Sequence, residues 1–519
     1  MFLIGEVNFA SVLTILSLVI LLGYLHVKRS YSYWEKRNVK SLKPTFPLGN
    51  FGSMLKLSLG DFCDLVYKSV DAPMVGIYAV TRPVLLIRDP ELCRRILIKD
   101  FQYFHDRGIY HNPEADPLSA HLVALNGDSW RNLRNKLSPA FATGKLRGMF
   151  KSIVDTNANL EAFLMKEADK GNEICMFDLM GRHMTNVIAS AIFGFDVDCI
   201  ANPDAPIREA GKRFFKPSGM NGFRLAMSFF LPTVSQWIRL KTTDSKYEEI
   251  MMTLVKQIVE DREMTNTEHK DFMQLLMQLR NSGQINEEDD WTFKTNTDKS
   301  TKMSLKEVTA QVHLFYIAGY DTTALTIAYC LFELAKKPHL QTKIQQEMAD
   351  CLKRHDGKIT YESVADMKYL DCCIYEILRL YSLVIILKRE CTMDYKVPNT
   401  DSVIEKGTPI MIPTVSIHHD PKYYPNPKEF RPERFEMKTS SDQSGMYLPF
   451  GLGPKQCIAM NMGRIISKIG LVSILTNFNV YLGKDLEKNS NLGFIPNSIM
   501  RIPIGGLKLK ISRREPQEN

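Results

Sequence analysis

The sequence lacks two patterns that would each assign it to a narrow class of protein. Its ten cysteines have no regular spacing, and Cys372 and Cys373 are adjacent, so they do not form the disulfide framework of a small secreted domain. No large excess of one charge is present, because the net charge of +8 is spread along 519 residues. That mild charge gives no indication of nucleic acid binding and instead favours an acidic protein partner or an anionic membrane surface.

Basic residues are also missing ahead of the first apolar stretch, at 9–27. A cleaved signal peptide would carry such charge, whereas only Glu6 precedes this stretch, and Lys28 and Arg29 follow it. The stretch is close to the ~20 residues that cross the hydrocarbon core of a bilayer, and the basic residues behind it place the rest of the chain in the cytosol. We therefore predict a retained membrane anchor at 1–27.

The remaining sequence has the composition of a large globular protein, with a hydrophobic content of 45%. We predict a connector with basic residues and prolines at 28–50, followed by one domain at 51–519. Two β-rich runs at 72–87 predict a hairpin, whereas 145–280 has mostly helical patterns. The segment 105–127 is rich in Pro, Asn and Asp and is typical of a loop over a ligand site.

The segment 214–231 contains five phenylalanines among Gly, Pro and Met. A core helix is one interpretation, but the Pro and Gly residues disfavour one continuous helix. We predict a flexible apolar loop that contacts the bilayer and admits lipophilic ligands.

One cysteine lies in an unusual run, FGLGPKQCIA, at Phe450–Ala459. Gly451 and Gly453 can adopt a positive φ and let the backbone pass close to a bulky flat group. The apolar run at 458–482 predicts a helix with Cys457 at its N-terminus, where the helix dipole favours a thiolate.

A thiolate in such a loop can be a nucleophile, a redox centre or a metal ligand, and a cysteine can also be a small buried hydrophobe. No histidine flanks Cys457 to act as the base of a nucleophile, and no second cysteine lies close enough in sequence to form a redox pair. The remaining functional interpretation is a single axial thiolate ligand of haem iron.

A long helix is predicted between the capping box of Ser304 and Glu307 and the stop at Pro338. Its middle is apolar nearly all round, which predicts burial, yet it contains Gly319 and the polar run 321–323. Glycine costs about 1 kcal/mol in a helix, and a buried carboxylate needs a partner. Although threonine can hydrogen-bond to its own helix, this clustering indicates a functional turn.

Two further pairs lie on single faces of predicted helices. Trp130 and Arg134 are four residues apart, and Glu376 and Arg379 are three apart. Each has a plain structural interpretation: an arginine packed on an indole, and a surface salt bridge of little energetic value.

Together these motifs resemble those of the cytochrome P450 superfamily, the haem-thiolate monooxygenases. Phe450, Gly453 and Cys457 are spaced as in the family's haem-binding loop, and Ala318–Thr323 is similar to its oxygen-activation turn. The motifs follow the family's order from residue 44 to about 510, and the runs DRGIYHNPEADPLSAHL and DSWRNLRNKLSPAF are most similar to the insect microsomal detoxification branch. The resemblance implies a mainly α cytochrome P450 fold, with a large helical haem domain and a small β-sheet lobe.

The resemblance also implies a role for each motif. Cys457 would be the iron ligand. The residues implied to hold the haem propionates are Trp130, Arg134, Arg389 and Lys455. The residues implied in oxygen activation are Ala318 and Gly319, beside which O2 would bind, and Asp321 and Thr322, which would relay protons. The residues implied to form a buried network are Glu376, Arg379 and Arg434.

Three departures from the family pattern stand out. Lys455 replaces an arginine, which keeps the charge but loses the bidentate fork, and we expect its charge also to face a docking reductase. Ala459 replaces a glycine after the cysteine. Ser382 and Leu383 replace a pair of prolines, which is expected to loosen the strand that follows.

The implied activity is monooxygenation of lipophilic molecules, either xenobiotics or endogenous hormones and lipids. The implied cofactors are haem b, O2 as co-substrate, and NADPH through a flavoprotein reductase, with a b-type cytochrome as a second electron donor. The implied location is the endoplasmic reticulum membrane, with a single-pass anchor and a cytosolic catalytic domain. Alternatives are a haem protein that sequesters lipophilic ligands without turnover, a reductase-independent peroxide isomerase, and a purely structural membrane protein.

Overall fold

The computed structural model describes residues 9–54, 57–215, 219–286, 290–292, 302–437, 444–496, 498 and 500–515. The α-helices within these ranges are α1 (Phe9–Ser30), α2 (Phe51–Met54), α3 (Leu59–Ser69), α4 (Pro90–Arg94), α5 (Gly127–Leu137), α6 (Thr143–Asp155), α7 (Asn157–Lys170), α8 (Met176–Ile188), α9 (Pro206–Phe215), α10 (Gly219–Phe230), α11 (Pro232–Trp237), α12 (Ser245–Thr265), α13 (Phe272–Asn281), α14 (Leu305–Lys336), α15 (Pro338–Arg354), α16 (Tyr361–Asp366), α17 (Lys368–Tyr381), α18 (Thr414–His418), α19 (Met460–Asn477) and α20 (Lys484–Lys488). The strands are β1 (Met74–Ala79), β2 (Arg82–Ile87), β3 (Glu173–Cys175), β4 (Ile386–Glu390), β5 (Tyr395–Lys396), β6 (Val403–Ile404), β7 (Pro409–Pro413), β8 (Phe478–Leu482) and β9 (Lys508–Arg513).

The strands form three small sheets. The largest has the order β1-β2-β7-β4, in which only the β2–β7 pair is parallel. A second sheet has the order β3-β9-β8, and β5 pairs with β6. The hairpin predicted at 72–87 is confirmed as β1 and β2, whose register pairs Met74 with Ile87.

The two largest hydrophobic cores reflect this division. The larger core surrounds α14 and includes buried side chains of α8, α12, α13, α17 and α19. The smaller core packs α3 and α4 against the four-stranded sheet. The predicted mainly α architecture with a small β-sheet lobe is therefore confirmed.

Helix α1 stands apart from both cores. It is long and apolar enough to cross a membrane, and none of its most apolar window is buried within the described residues. Ile15 and Ile20 are 60% and 63% exposed, which is typical of a helix whose apolar surface meets lipid. The first eight residues of the predicted anchor lie outside the described residues.

The segment after α1 packs on the four-stranded sheet. Trp34 is 1% exposed and donates from Nε1 to the carbonyl of Ile77 at 3.0 Å. A Cβ on Gly76 would lie 2.4 Å from the Trp34 ring, so only glycine leaves room for this indole. The Tyr31 hydroxyl further receives the N–H of Gly49 at 2.8 Å. The start of the predicted connector is thus held against the sheet.

Helix α14 follows its sequence prediction closely. Ser304 and Glu307 form the capping box at its N-terminus, and α15 begins at Pro338, directly after Lys337. Because α8, α12, α13, α17 and α19 all pack on it, nearly every side chain in its second half is buried.

Two sequence predictions about helices are wrong in part. The helix predicted at 458–482 begins at Met460 and ends at Asn477, and the remainder forms β8 because Phe478–Leu482 pairs with β9. The flexible loop predicted at 214–231 is wrong for Gly219–Phe230, which forms α10 with one apolar face. Residues 216–218 of that segment lie outside the described ranges.

Candidate active site

The cysteine lies at the end of a tight loop ahead of α19. Gly453 has a φ of 71°, and a Cβ there would lie 2.0 Å from the carbonyl oxygen of Leu97, so no other residue fits without displacing backbone. The backbone N–H of Cys457 donates to the carbonyl of Phe450 at 2.8 Å, which closes the loop. The cysteine is therefore positioned by backbone geometry, three residues before the first residue of α19.

Cys457 is the one exposed cysteine of the ten. Burial nevertheless raises the pKa of its thiol, while the N–H of Ala459 and the guanidinium groups of Arg134 and Arg107 lower it. A side chain that is accessible and yet desolvated by surrounding protein lines an internal space. The backbone N–H near the helix end favours the thiolate, as predicted, but the desolvation cost is larger, so the pKa of the thiol is raised overall.

Four cationic side chains lie close to the cysteine loop. Arg107 donates to the carbonyl of Lys455 at 3.1 Å, and Arg134 donates to the carbonyl of Gln456 at 3.0 Å. The ammonium of Lys455 lies 4.1 Å from the centroid of the Trp130 ring. Arg389 is 2% exposed, and its buried Nε has no hydrogen-bond partner within the described residues.

These cations affect one another and lack acidic partners. None of Arg107, Arg134, Arg389 and Lys455 forms an ion pair among the residues that the structure describes. Burial and the neighbouring Arg134 lower the pKa of Arg107 to about 10, and burial and Arg107 lower the pKa of Arg389 to about 9. Such a cluster fits an anionic group, and carboxylates suit arginine geometrically.

Lys455 belongs to the interior of the protein. Its side chain is 4% exposed, and burial, Arg107 and Arg389 lower its pKa to about 6. The expectation that its charge faces a docking reductase is wrong, because a buried ammonium beside Trp130 is shielded from a partner's surface.

The functional turn predicted in α14 opens on an accessible face of an otherwise buried helix. Ala318 is exposed, and Gly319 and Thr322 are half-buried, whereas the residues on either side of this turn are almost all buried. The Thr322 hydroxyl donates to the Ala318 carbonyl at 2.6 Å. A Cβ on Gly319 would make only ordinary contact with Ile188, at 3.6 Å, so the surrounding side chains do not themselves require glycine there.

Asp321 is the buried acid of this turn, at 3% exposure. Burial raises its pKa to about 7, and the positive charge of Arg208 lowers it. Arg208 lies over the Tyr320 ring, 5.0 Å from its centroid, and donates to Asp178 at 3.1 Å. Arg208 on α9 therefore acts on this carboxylate through its charge and not through an ion pair, and its own acidic partner is Asp178, whose side chain is 41% exposed.

Glu376, Arg379 and Arg434 meet in one buried network. Arg379 donates from Nε and Nη2 to the two carboxylate oxygens of Glu376 at 2.7 and 2.8 Å, and Arg434 donates from Nε to Oε1 at 3.2 Å. Glu376 and Arg379 are both fully buried. The plain interpretation as a surface salt bridge is therefore wrong, and the network joins α17 to the segment before the cysteine loop.

Sequence reasoning missed Arg107 and Arg208. Arg107 lies in the loop 105–127 that the sequence indicated as a ligand-site loop, which is the one signal that pointed toward it. Arg208 follows Pro206, the first residue of α9, in a stretch with no motif, and only the need of Asp321 for a partner indicated that such a residue exists.

Comparisons with known proteins agree with this geometry. The sequence model of the cytochrome P450 family matches residues 42–505. A protein named probable cytochrome P450 6d4, from Drosophila melanogaster, is 40% identical over 510 residues, which cover 96% of this chain and 97% of that protein. Cytochrome P450 6d1 from Musca domestica is 36% identical over 505 residues, covering 95% of this chain and 97% of the relative.

A relative of lower sequence identity is matched over a similar length. Cytochrome P450 6B2 from Helicoverpa armigera is 35% identical over 510 residues, covering 96% of this chain and 98% of the relative. The family match thus spans the β-sheet lobe and the helical core, and the relatives are insect proteins, as the resemblance implied. This chain belongs to the cytochrome P450 family and is a haem-thiolate monooxygenase.

Proposed function

We propose that this protein is a membrane-anchored monooxygenase that inserts one oxygen atom of O2 into lipophilic small molecules, with electrons from an NADPH-dependent flavoprotein reductase. The observation that carries the proposal is Cys457: an accessible sulfur at the wall of an internal space, beside a cluster of cations that form no ion pair with any described acid. This donor set suits a planar iron cofactor that carries two carboxylates.

The chain's own residues provide the binding site for haem. Cys457 would ligate the iron, in the loop that Phe450 and Gly453 shape. The residues proposed to hold the propionates are Trp130, Arg134, Arg389 and Lys455, to which we add Arg107. Bound haem supplies the activation of O2 and the transfer of one of its oxygen atoms to substrate.

The turn of α14 has the groups needed to deliver protons. We propose that Ala318 and Gly319 leave room for O2 and that the Thr322 hydroxyl, which lies on the accessible face, passes a proton toward it. Asp321 is suited to replace that proton, because a pKa of about 7 leaves both of its forms populated near neutral pH.

The network of Glu376, Arg379 and Arg434 would stabilise the fold and take no part in the reaction. Its three side chains join α17 to the segment that precedes the cysteine loop. We propose that it keeps the cysteine side of the domain folded while haem binds.

Membrane attachment would involve more than α1. We propose a single-pass anchor at 1–27, a connector at 28–50 and a cytosolic enzyme domain at 51–519, in the endoplasmic reticulum. Met220 and Phe223 on α10 are 58% and 55% exposed, and Trp237 at the end of α11 is 85% exposed. Exposed apolar side chains of this kind are suited to a second contact with the bilayer, from which lipophilic substrates would enter.

The optical spectrum of the reduced, CO-bound protein tests the proposed ligand. We expect a thiolate-type spectrum for the parent and none for Cys457→Ser, because the other residues of the loop supply no soft anion. Cys175→Ser is the matched control, since Cys175 is a partly exposed cysteine outside the candidate site. Survival of the thiolate-type spectrum in Cys457→Ser would show that another cysteine binds iron.

NADPH consumption with a purified reductase separates this proposal from a non-turnover carrier and from a peroxide isomerase. The buried Asp321 beside Thr322 favours the monooxygenase, because neither alternative needs a proton relay. We expect NADPH consumption that depends on reductase and on a lipophilic substrate. Product formation without reductase would favour the isomerase, and a b-type cytochrome added to the same assay would show whether it is a second electron donor.

A further inference from the structure

The end of α17 contains a residue in an unusual conformation. Ser382, at the C-terminal end of this helix, has a φ of 35° and a ψ of 74°, in the left-handed region. Its N–H donates to the carbonyl of Leu378 at 3.1 Å. Proline at this position would lack that N–H, and its ring fixes φ near −65°. Serine at 382 therefore allows a backbone conformation that proline could not adopt.

The Ser382 side chain joins a chain of buried hydrogen bonds. Its Oγ lies 2.7 Å from Nδ1 of His418, and Nε2 of His418 lies 2.8 Å from the backbone nitrogen of Leu448. Ser382, His418 and Leu448 are at most 1% exposed. Burial and the nearby charge of Arg379 lower the pKa of His418 well below its ordinary value, so its imidazole is neutral.

The donor and the acceptor of each hydrogen bond that links Leu448, His418 and Ser382 follow from the chemistry of these groups. A backbone amide can only donate, so Nε2 of His418 accepts from Leu448 and the ring proton sits on Nδ1. That proton is donated to Oγ of Ser382, whose own hydrogen goes to the carbonyl of Arg379 at 2.9 Å. The Leu448 N–H thus sets the tautomer of His418, and Ser382 supplies the buried acceptor that the Nδ1 proton of this tautomer needs.

Leu448 begins the segment that ends at the proposed iron ligand. Its carbonyl accepts from the N–H of Gly451 at 3.1 Å, and the carbonyl of Phe450 accepts from the N–H of Cys457 at 2.8 Å. The other end of the chain lies in the buried network, since Arg379 also donates from Nη1 to the carbonyl of His418 at 2.8 Å.

We propose that Ser382 and His418 are positioning residues for the cysteine loop, and that they hold the loop by fixing the acceptor for the Leu448 N–H. This inference rests on the proposed role of Cys457 as iron ligand. It assigns the serine at 382 a function that a proline could not have, namely orientation of the histidine ring by a hydroxyl group.

Two substitutions of His418 separate the two ends of the imidazole. In His418→Asn the amide nitrogen replaces Nδ1, which keeps donation to Ser382 but removes the acceptor for Leu448. In His418→Gln the amide oxygen replaces Nε2, which keeps the acceptor for Leu448. Ser382→Ala removes the acceptor for Nδ1. Thr309→Ala is the matched control, because Thr309 is a fully buried hydroxyl on the first turns of α14 that donates to Leu305 at 2.8 Å.

The measurement is the rate at which the reduced, CO-bound protein loses its thiolate-type spectrum in mild urea, compared with the urea midpoint of global unfolding. We expect His418→Asn to lose the spectrum about tenfold faster than the parent and Ser382→Ala about threefold faster, since each leaves a buried polar group without a partner. His418→Gln should stay close to the parent, and Thr309→Ala should lower only the unfolding midpoint.

Two results would contradict the proposal in distinguishable ways. Equal rates for His418→Asn, His418→Gln and Thr309→Ala at matched unfolding midpoints would show that Ser382 and His418 contribute only to general stability. A parent without any thiolate-type spectrum would instead overturn the assignment of Cys457, and with it the basis of this inference.

Discussion

The cysteine loop and the polar turn of α14 are built in different ways. On the cysteine side, a left-handed Gly453 and backbone hydrogen bonds hold Cys457 in place, and Arg107 and Arg134 donate to backbone carbonyls of the same loop. On the other side, a regular helix presents Thr322 to the accessible face and buries Asp321, whose pKa is raised to about 7. The cysteine side thus depends on backbone shape and a cluster of basic side chains, whereas the α14 side depends on an acid that can exchange its proton near neutral pH. Substitutions on the first side should affect haem binding, and substitutions on the second should affect turnover.

The largest effect after loss of the thiolate is expected at Thr322. Thr322→Ala should keep substrate binding and haem reduction but lower product formation by roughly 100-fold, with electrons diverted to hydrogen peroxide, because the proton donor is lost. The measurement is product formed per NADPH consumed. Thr326→Ala is the control, since Thr326 makes the same type of bond to its own helix, to the Thr322 carbonyl at 2.8 Å. Equal coupling in both variants would remove Thr322 from the relay.

Asp321 should impose a pH dependence on turnover and stability. The protonated form donates, so coupled turnover of the parent should fall above about pH 7, and Asp321→Asn should be roughly tenfold slower with no such fall. Because burial raises the folded-state pKa above the ordinary value of 3.8, the folded state holds more protons between the two values. Stability of the parent should therefore decrease as pH rises from about 4 to about 7 and stay constant above.

The stability of Asp321→Asn should lack that decrease, and at pH 8 the variant should exceed the parent by on the order of 1–4 kcal/mol. Urea unfolding at several pH values measures this difference. Identical pH profiles for parent and variant would mean that Asp321 is ionised throughout the range and is neutralised by Arg208.

A smaller effect is expected at Lys455, on haem binding alone. Lys455→Ala should release haem severalfold faster, and not completely, because Arg107, Arg134 and Arg389 remain to contact the propionates. Lys455→Arg should retain haem at least as well as the parent. Transfer of haem to an excess of apomyoglobin measures the release rate. Arg131→Ala, on the exposed face of α5, is the control for loss of a cation, and a release rate equal to that of Lys455→Ala would contradict the specific role.

The smallest effect on the site is expected from removal of the anchor. Deletion of 1–27 should release much of the protein from membranes and leave the thiolate-type spectrum unchanged, because α1 contributes to neither core. Residual membrane association should fall further on Phe223→Asp in α10. Flotation with lipid vesicles measures both steps. A truncated protein that fails to bind haem would show that the segment belongs to the fold.

Local constraints explain which features were predictable from sequence. The spacing of Phe450, Gly453 and Cys457 predicts a loop because the conformation of this loop depends on its own backbone. The capping box of Ser304 and Glu307 likewise predicts a helix end from local residues alone. The polar turn at 318–323 was detectable because it violates the apolar pattern around it. Each of these signals lies within about ten residues of sequence.

Long-range contacts explain what was missed. Arg107 reaches the cysteine loop through a hydrogen bond that spans 348 residues of sequence, so nothing near it identifies its partner. The end of the predicted helix at 458–482 became β8 because β9, at Lys508–Arg513, pairs with it. Lys455 was expected at the surface, but Trp130 and the neighbouring arginines enclose it.

Trp34 lies shortly after the last residue of α1 and is buried over Gly76 of β1. Near the same place, the rings of Tyr24 on α1 and Phe46 are 5.4 Å apart, and those of Phe51 and Phe230 at the end of α10 are 5.6 Å apart. Because the segment that follows α1 packs on the four-stranded sheet, the domain has little freedom to rotate about α1. With α1 in the bilayer, as proposed, the domain would keep one inclination to the membrane plane, and molecules that diffuse laterally in the lipid would meet the same face of it.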